Sequence, residues 1–105
     1  MSAANAAGGY RHVVTFVFRD DATAEQIAAI TEGLAGLPAQ IPEIRDYRFG
    51  PDLGINEGNH QFAVVADFDS MDDYLVYRDH PAHVTVIAEA IRPILAARAA
   101  VQFAI

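Results

Sequence analysis

The sequence predicts a single domain of the α+β class, in which helices cover an antiparallel β-sheet. The chain has 105 residues, which is the usual size of one domain. Apolar residues make up 52% of the chain and charged residues 20%, a composition typical of a folded core and not of a disordered polypeptide. Segments rich in β-branched and aromatic residues are interleaved with segments whose apolar residues recur at helical spacing.

The charge balance and the absence of cysteine exclude several classes of protein. Seven arginines oppose 14 acidic residues, for a formal net charge of −7, and the arginines are scattered. We therefore expect no nucleic-acid partner and no binding to an anionic membrane surface. No apolar run approaches the roughly 20 residues that span a bilayer, and the first residues lack the features of a secretion signal, so we expect a cytoplasmic protein. Without cysteine there are no disulfides and no thiolate metal sites.

The first half of the chain predicts a tail, a strand and a helix. Residues 1–9 are small and polar and predict a flexible tail before a domain over residues 10–105. Residues 12–19 are dense in β-branched and aromatic side chains, which favour a strand. Thr23 and Gln26 form a capping-box pattern for a helix that ends before a proline. Its apolar stripe is Ile27, Ile30, Leu34 and Leu37.

The second half predicts three more strands and a helix in two pieces. Strands are expected at residues 44–49, 61–68 and 99–104. Ser70 is placed to cap a short helix that runs to about Arg78, and a second piece begins near Pro81, because proline suits a first helical turn. Pro93 is expected to kink or end that piece.

The resulting order is β-α-β-β-α-β with the second helix split, which predicts a ferredoxin-like antiparallel sheet. Helices cover one face of such a sheet, yet the first and third strands are apolar on both faces. Their second faces carry Val13, Val17, Ala63 and Val65. A patch of this kind exceeds what soluble monomers tolerate, so we expect a second copy of the chain to pack on it. The alternative is that the loop at residues 51–59 covers this face.

The candidate functional residues cluster where the split helix is joined. Tyr77, His80 and His83 lie there, and His12 begins the first strand in phase with its apolar side chains. A histidine accepts protons near neutral pH, and a tyrosine can polarise a carbonyl, so Tyr77 and His83 suit proton transfer. The alternatives are that His80 caps a helix, that His83 is a surface residue, or that the two share an adventitious metal ion. His60 is expected to be solvated, and Tyr10 and Tyr47 to pack.

Four segments resemble the stress-responsive A/B-barrel (Dabb) domain family: RHVVTFVFRDDATAEQI, LPAQIPEIRDYRFGPDL, FDSMDDYLVYRDHPAHVTV and IRPIL. The resemblance covers about residues 11–104, and its most specific part runs from Tyr77 to Val84 through the His80-Pro81-Ala82-His83 segment. It implies a ferredoxin-like protomer that pairs through its sheet as a dimeric α+β barrel. Family members often carry an acidic residue near the end of the last strand, where this chain has Gln102.

Some proteins of this family resemble polyketide cyclases, which close a poly-β-ketone by aldol condensation without a metal or an organic cofactor. By that resemblance, Tyr77, His83 and His12 are the candidate catalytic residues, acting on a small apolar or aromatic ligand. The candidate binding residues are Val14, Phe16, His80, Val84 and Ile87. Two other functions remain open, a non-catalytic stress-responsive or ligand-binding protein and a cofactor-free monooxygenase.

Overall fold

A four-stranded antiparallel sheet with helices on one face makes up the structure, a computed structural model that describes residues 8–105. The strands are β1 (Tyr10–Phe18), β2 (Asp46–Pro51), β3 (Phe62–Phe68) and β4 (Leu95–Ala104). The helices are α1 (Ala24–Ala35), α2 (Leu37–Gln40), α3 (Met71–Asp79) and α4 (Pro81–Val86). The order across the sheet is β2-β3-β1-β4, so the predicted ferredoxin-like arrangement is confirmed.

The core lies between the sheet and the helices. Along β1, buried and half-buried residues alternate, because successive side chains of a strand point to opposite faces. The buried sheet residues on this helix-covered face include Val14, Phe16, Phe18, Phe62, Val64, Ala66 and Phe68. The helical side contributes Ile30, Leu34, Leu37, Ile41, Tyr77, Ile91 and Ile94. Burial of this apolar area supplies the main free energy of folding.

The opposite face of the sheet, here called the open face, is covered by no helix of residues 8–105. Val13, Val17, Ala63 and Val65 are half-buried there, while Val101 is 55% and Phe103 46% exposed. The loop at residues 51–59 is itself exposed, and the residue after it, His60, meets this face at one corner, where its Nδ1 lies 2.9 Å from Thr15 Oγ1. An apolar surface of this kind marks an interaction site.

A buried charge also lies on the open face. Asp67 is 4% exposed and accepts two hydrogen bonds of 2.8 Å from the Arg11 guanidinium. These hydrogen bonds hold the pKa of Asp67 below its usual value. The paired geometry explains how a carboxylate can occupy an otherwise apolar face, because an unpaired buried charge would be costly.

The helix starts agree with the sequence, whereas several boundaries differ. The capping box of Thr23 and Gln26 is present at the start of α1. Helix α2 was not predicted. Pro38 lies in its first turn, a position that tolerates a residue without an N–H group. β2 starts and ends two residues later than expected. It can include Pro51 because β2 lies at the sheet edge, where a residue without an N–H group removes no hydrogen bond to a neighbouring strand. β4 begins at Leu95 and pairs with Phe18 through a register irregularity.

The split of the second helix is confirmed, and a wider turn lies after it. Ser70 caps α3, and α4 starts at Pro81. After Val86 the chain makes a π-helical turn at Ile87–Ile91 and a 3₁₀ turn at Arg92–Ile94, which contains Pro93. π-Helical turns occur frequently at functional sites.

The predicted tail lies mostly outside the described residues, which begin at Gly8. Gly9 already belongs to the sheet end, because it is buried and its carbonyl accepts a 3.0 Å hydrogen bond from the Ile105 N–H. Within residues 8–105, none of the helices has the length and apolarity required to cross a membrane.

Candidate functional site

A cavity of about 390 Å³ lies between the sheet and the helical segments from α3 to the 3₁₀ turn. We call it the central cavity. Its apolar walls come from both layers: Val14, Phe16, Leu34, Val64, Ile87, Ile91 and Leu95. Its polar and aromatic lining residues are His12, Tyr74, Tyr77, Arg78, His83, Arg92 and Arg98. Such a lining, mostly apolar with a few convergent polar groups, is typical of a small-molecule site.

The register of the strands positions His12 at this cavity. Tyr47, Ala66, His12 and Gln102 form one row across the four strands. His12 is 6% exposed, and its Nδ1 lies 2.8 Å from the amide nitrogen of Gln102. Because an amide nitrogen only donates, this bond assigns the ring proton of His12 to Nε2. Burial, reinforced by the charges of Arg98 and His83, lowers the pKa of His12 from 6.5 to about 4, so the ring is neutral at pH 7.

His83 has the opposite tautomer. It lies in the first turn of α4, where its Nδ1 is 3.1 Å from the backbone carbonyl oxygen of Arg78. A carbonyl only accepts, so the proton is on Nδ1 and Nε2 is left as an acceptor. Burial lowers the pKa of His83, although the bond to the Arg78 carbonyl opposes that effect. His83 is therefore a neutral base at pH 7, and its half-buried ring lies 4.1 Å from that of Tyr77, centroid to centroid.

Tyr77 lies at the centre of the aromatic cluster over the sheet. It is 2% exposed, and its ring centroid is 5.1 Å from that of Phe68 and 6.4 Å from that of His12. Its hydroxyl is 2.8 Å from the hydroxyl of Tyr47. Burial raises the pKa of Tyr77 to about 12, while the hydrogen bond with Tyr47 acts to lower it. Tyr77 is therefore a neutral phenol throughout the physiological range.

Most of the predicted site residues line the central cavity, and two do not. His12, Tyr77 and His83 meet there, with Val14, Phe16 and Ile87 as walls. The placement of Val84 in the pocket wall is corrected, because its side chain is 49% exposed and it is not a lining residue. His80 is not a lining residue either. Its Nδ1 accepts a 3.1 Å bond from the Ala82 N–H and caps α4, which was the alternative interpretation.

Sequence reasoning missed Tyr47 and three arginines. Tyr47 was expected only to pack, yet its hydroxyl is bonded to that of Tyr77. Arg78, Arg92 and Arg98 line the cavity, which their scatter along the sequence concealed. The β1–β4 register would have located Arg98, because it pairs with Phe16 on the helix-covered face. His60, expected to be solvated, is half-buried and bonded to Thr15.

A second cavity, of about 270 Å³, lies on the other side of His12 and Tyr74, which line both spaces. The ring centroids of these two residues are 5.1 Å apart. Tyr10 also lines the second cavity, and its hydroxyl oxygen is buried without a hydrogen-bond partner among the described residues. His12 and Tyr74 thus form a partition between the two spaces.

Metal-ligating side chains are not grouped in the described part of the chain. Within residues 8–105, no cluster of three or more His, Cys, Asp or Glu residues could hold a metal ion. At the His80–His83 pair, both Nδ1 atoms already have backbone partners, Ala82 N–H and the Arg78 carbonyl.

Comparison with known proteins supports the same family throughout the domain. The model of the Stress responsive A/B Barrel Domain matches residues 10–105. A stress-response A/B barrel domain-containing protein of Arabidopsis thaliana is 29% identical over 84 residues, which cover 75% of this chain and 71% of that protein. A second Arabidopsis protein of the same description is 28% identical over 81 residues, 75% of this chain and 74% of its own length.

Solved structures show the same fold. A dimeric ferredoxin-like protein of unknown function from Thermobifida fusca is 47% identical, with a TM-score of 0.86 over 92% of this chain and 91% of that one. The hydroxynitrile lyase of Passiflora edulis has a TM-score of 0.81 over 94% of each chain, but at 21% identity it shows the fold alone. Because the family model spans the whole sheet and all the helices, the chain belongs to the stress-responsive A/B-barrel (Dabb) domain family.

Proposed function

We propose that the protein binds a small aromatic or polyketide-like molecule in the central cavity and catalyses a cofactor-free cyclase or lyase reaction on it. The observation that carries this proposal is the pair of neutral imidazoles with opposite tautomers at one cavity. His83 offers a bare Nε2 as a proton acceptor, and His12 keeps its proton on Nε2 as a donor. Removal of a proton from a carbon next to a carbonyl group is assisted by a base and by a hydrogen-bond donor to the developing oxyanion in one pocket.

For a poly-β-ketone substrate, the reaction would be an intramolecular aldol addition, the step of an aldol condensation that forms the carbon–carbon bond and precedes any loss of water. His83 Nε2 removes a proton from a methylene between two carbonyl groups, which leaves an enolate. The enolate carbon attacks a second carbonyl carbon, so one C–C bond forms and the carbonyl electron pair moves to its oxygen. Hydrogen bonds from His12 and Tyr77 stabilise the oxyanion, which then takes the proton back from His83. Every atom is retained, and the histidine returns to its neutral form.

His12 and Tyr77 act in this scheme as hydrogen-bond donors and not as acids that lose a proton. A neutral imidazole and a phenol whose pKa is raised to about 12 both hold their protons at pH 7. For the Tyr77 hydroxyl to donate to a ligand, Tyr47 must donate into the Tyr77 oxygen, because each hydroxyl has one hydrogen.

The proposal includes a homodimer joined through the open face. Val101 and Phe103 expose apolar surface there, and Val13 and Val65 are half-buried beside them. Structures at 47% and 30% identity are of dimeric proteins, which supports self-association of this chain. Burial of such a face against its copy would remove the apolar surface from water.

The second candidate is a non-catalytic ligand-binding protein of the same family. One observation favours it: Tyr77 is already hydrogen-bonded to Tyr47, and His12 to Gln102. Side chains that only stabilise the fold would keep these bonds. This candidate predicts that substitutions at His83 change stability or ligand affinity and have no chemical effect.

The deciding experiment is turnover of a panel of poly-β-ketone thioesters by the wild type, His83→Ala and Tyr77→Phe. We expect His83→Ala to lower kcat by about 100-fold or more, as for loss of a general base. His60→Ala is the matched control, because that histidine is bonded to Thr15 on the other side of the sheet. If the wild type turns over none of the panel but binds aromatic probes, the cyclase proposal is wrong and the binding protein is favoured.

A further inference from the structure

The distribution of arginine pairs sets two arginines apart from the other five. Five pair with an Asp carboxylate within the described residues, at distances of 2.8 to 3.4 Å: Arg11, Arg19, Arg45, Arg48 and Arg78. Arg92 and Arg98 form no ion pair in residues 8–105, and both line the central cavity. The chain has 14 acidic and 7 basic residues, so acidic side chains outnumber the arginines two to one.

The charge of the cavity lining is opposite in sign to the net charge of the protein. The chain carries a net charge of −7, yet Arg78, Arg92 and Arg98 all line this cavity, and none of its lining residues in the described part of the chain is Asp or Glu. Arg78 is neutralised by the neighbouring Asp79, with a bond of 2.9 Å. The excess positive charge of the cavity therefore comes from Arg92 and Arg98, and a cleft lined by one sign of charge concentrates ions of the other sign.

Both arginines are placed to meet a ligand that also reaches the histidines. Arg98 pairs in register with Phe16 on the helix-covered face. On that face, this pair is the second one along the strands from the His12–Gln102 pair. Arg92 begins the 3₁₀ turn directly after Ile91, which lines the same cavity. Both arginines are exposed to solvent, so they lie where the apolar pocket opens. The lowered pKa of His12 is partly due to the charge of Arg98, which agrees with this proximity.

We propose that the ligand of the central cavity is an anion, an aromatic or polyketide-like carboxylate whose charged group is held by Arg92 and Arg98. This inference rests on the proposed function in one respect, namely that the cavity binds a small aromatic molecule. Guanidinium groups bind carboxylates through paired, charge-assisted hydrogen bonds, which fixes the orientation as well as the affinity. The charged end at the opening directs the rest of the ligand inward, towards His12, Tyr77 and His83.

The test compares two probes of the same shape, 2-naphthoate and 2-acetonaphthone, which differ in that a carboxylate oxygen is replaced by a methyl group. Binding is measured by isothermal titration calorimetry at low and high NaCl. We expect the wild type to prefer naphthoate, and salt to weaken naphthoate binding more than ketone binding. Arg98→Gln and Arg92→Gln should each weaken naphthoate binding by about tenfold and leave ketone binding unchanged, whereas Arg98→Lys should retain part of it.

Arg19→Gln is the matched control, since Arg19 is paired with Asp21 and does not line the cavity. Equal affinity for the two probes, unaffected by the arginine substitutions, would overturn the carboxylate proposal and leave the binding function intact. Binding of neither probe would overturn both. If Arg98→Gln weakens dimerisation in light scattering but not naphthoate binding, the arginines serve a subunit interface and the proposal is wrong.

Discussion

The hydroxyls of Tyr47 and Tyr77 share a hydrogen bond of 2.8 Å that joins the edge strand β2 to helix α3. Tyr77 is buried and Tyr47 is half-buried, and burial raises the pKa of each above its ordinary value. We expect Tyr47 to be a positioning residue for Tyr77, because either hydroxyl can donate and the choice of donor decides where the Tyr77 hydrogen points.

Substitution Tyr47→Phe tests this role. The Tyr77 hydroxyl would lose its partner while buried, so we expect the free energy of unfolding to fall by about 1–3 kcal/mol. If the protein is an enzyme, kcat should fall while KM changes little, because the ligand pocket does not include Tyr47. In the double variant Tyr47→Phe/Tyr77→Phe, the loss of stability should be smaller than the sum of the single losses, since no polar group is left unpaired. Additive losses would contradict the coupling.

The stability of the fold should depend on pH through His12. Its pKa is about 4 in the folded protein and 6.5 ordinarily, so the unfolded chain binds more protons between these values. Stability is full above pH 6.5 and is lost as the pH falls towards 4, by roughly 3 kcal/mol from this residue. Urea unfolding at several pH values measures it.

The variant His12→Gln should lose most of this slope between pH 6.5 and 4. A smaller dependence of the same sign should remain from His83, whose pKa is also lowered by burial. Asp67 acts in a separate window, because its lowered pKa removes stability only at pH values below about 4. An unchanged slope in His12→Gln would show that His12 is not the group responsible.

Gly9 should be the glycine at which a methyl group is least tolerated among the positive-φ positions. Its φ is +99°, and an added Cβ would collide with the carbonyl oxygen of Phe68. Gly54 also has a positive φ, +74°, but open space surrounds its Cβ position. We expect Gly54→Ala to cost about 1 kcal/mol and Gly9→Ala clearly more, because a steric clash adds to the backbone strain. Thermal unfolding of both variants measures the difference, and equal costs would argue against the close packing at Gly9.

The open face should control self-association. Val101→Asp introduces a charge into this apolar surface, and we expect it to convert the dimer to a monomer in light scattering. Val76→Asp is the matched control, because Val76 is 43% exposed on α3, away from the sheet. A wild-type chain that is monomeric at micromolar concentration would contradict the dimer, as would dissociation caused equally by both variants.

The sequence predicted the order of the elements well because local signals are strong here. The capping residues Thr23 and Ser70 and the prolines at helix starts act within a few residues of their positions, and they mark the observed ends. In β1, the two-residue period of a strand also assigned the side chains to the two faces of the sheet, both of them apolar. The start of β4 was missed because alanine has little strand preference, and pairing with β1 determines where that strand begins.

The site was predicted in part, for a physical reason. Tyr77 and His83 belong to one short segment of the chain, and His12 is in phase with the apolar side chains of β1. These three residues could therefore be found from the sequence. Tyr47 and Arg98 are brought in by pairings across the sheet, which link residues distant in the chain. Val84 was predicted in the pocket wall. It follows His83 in the chain and is rotated from it by about 100° around the helix axis, so its side chain points to solvent.

The π-helical turn at Ile87–Ile91 makes the cavity wall sensitive to chain length. A turn of this type holds about one residue more than an α-helical turn. Because the wide turn already holds its extra residue, inserting one more residue there would rotate the next residues by about 100° around the helix axis. Ile91 would leave the core and the guanidinium of Arg92 would swing away from the pocket, so the segment between Val86 and Pro93 should tolerate substitutions far better than a lengthened backbone.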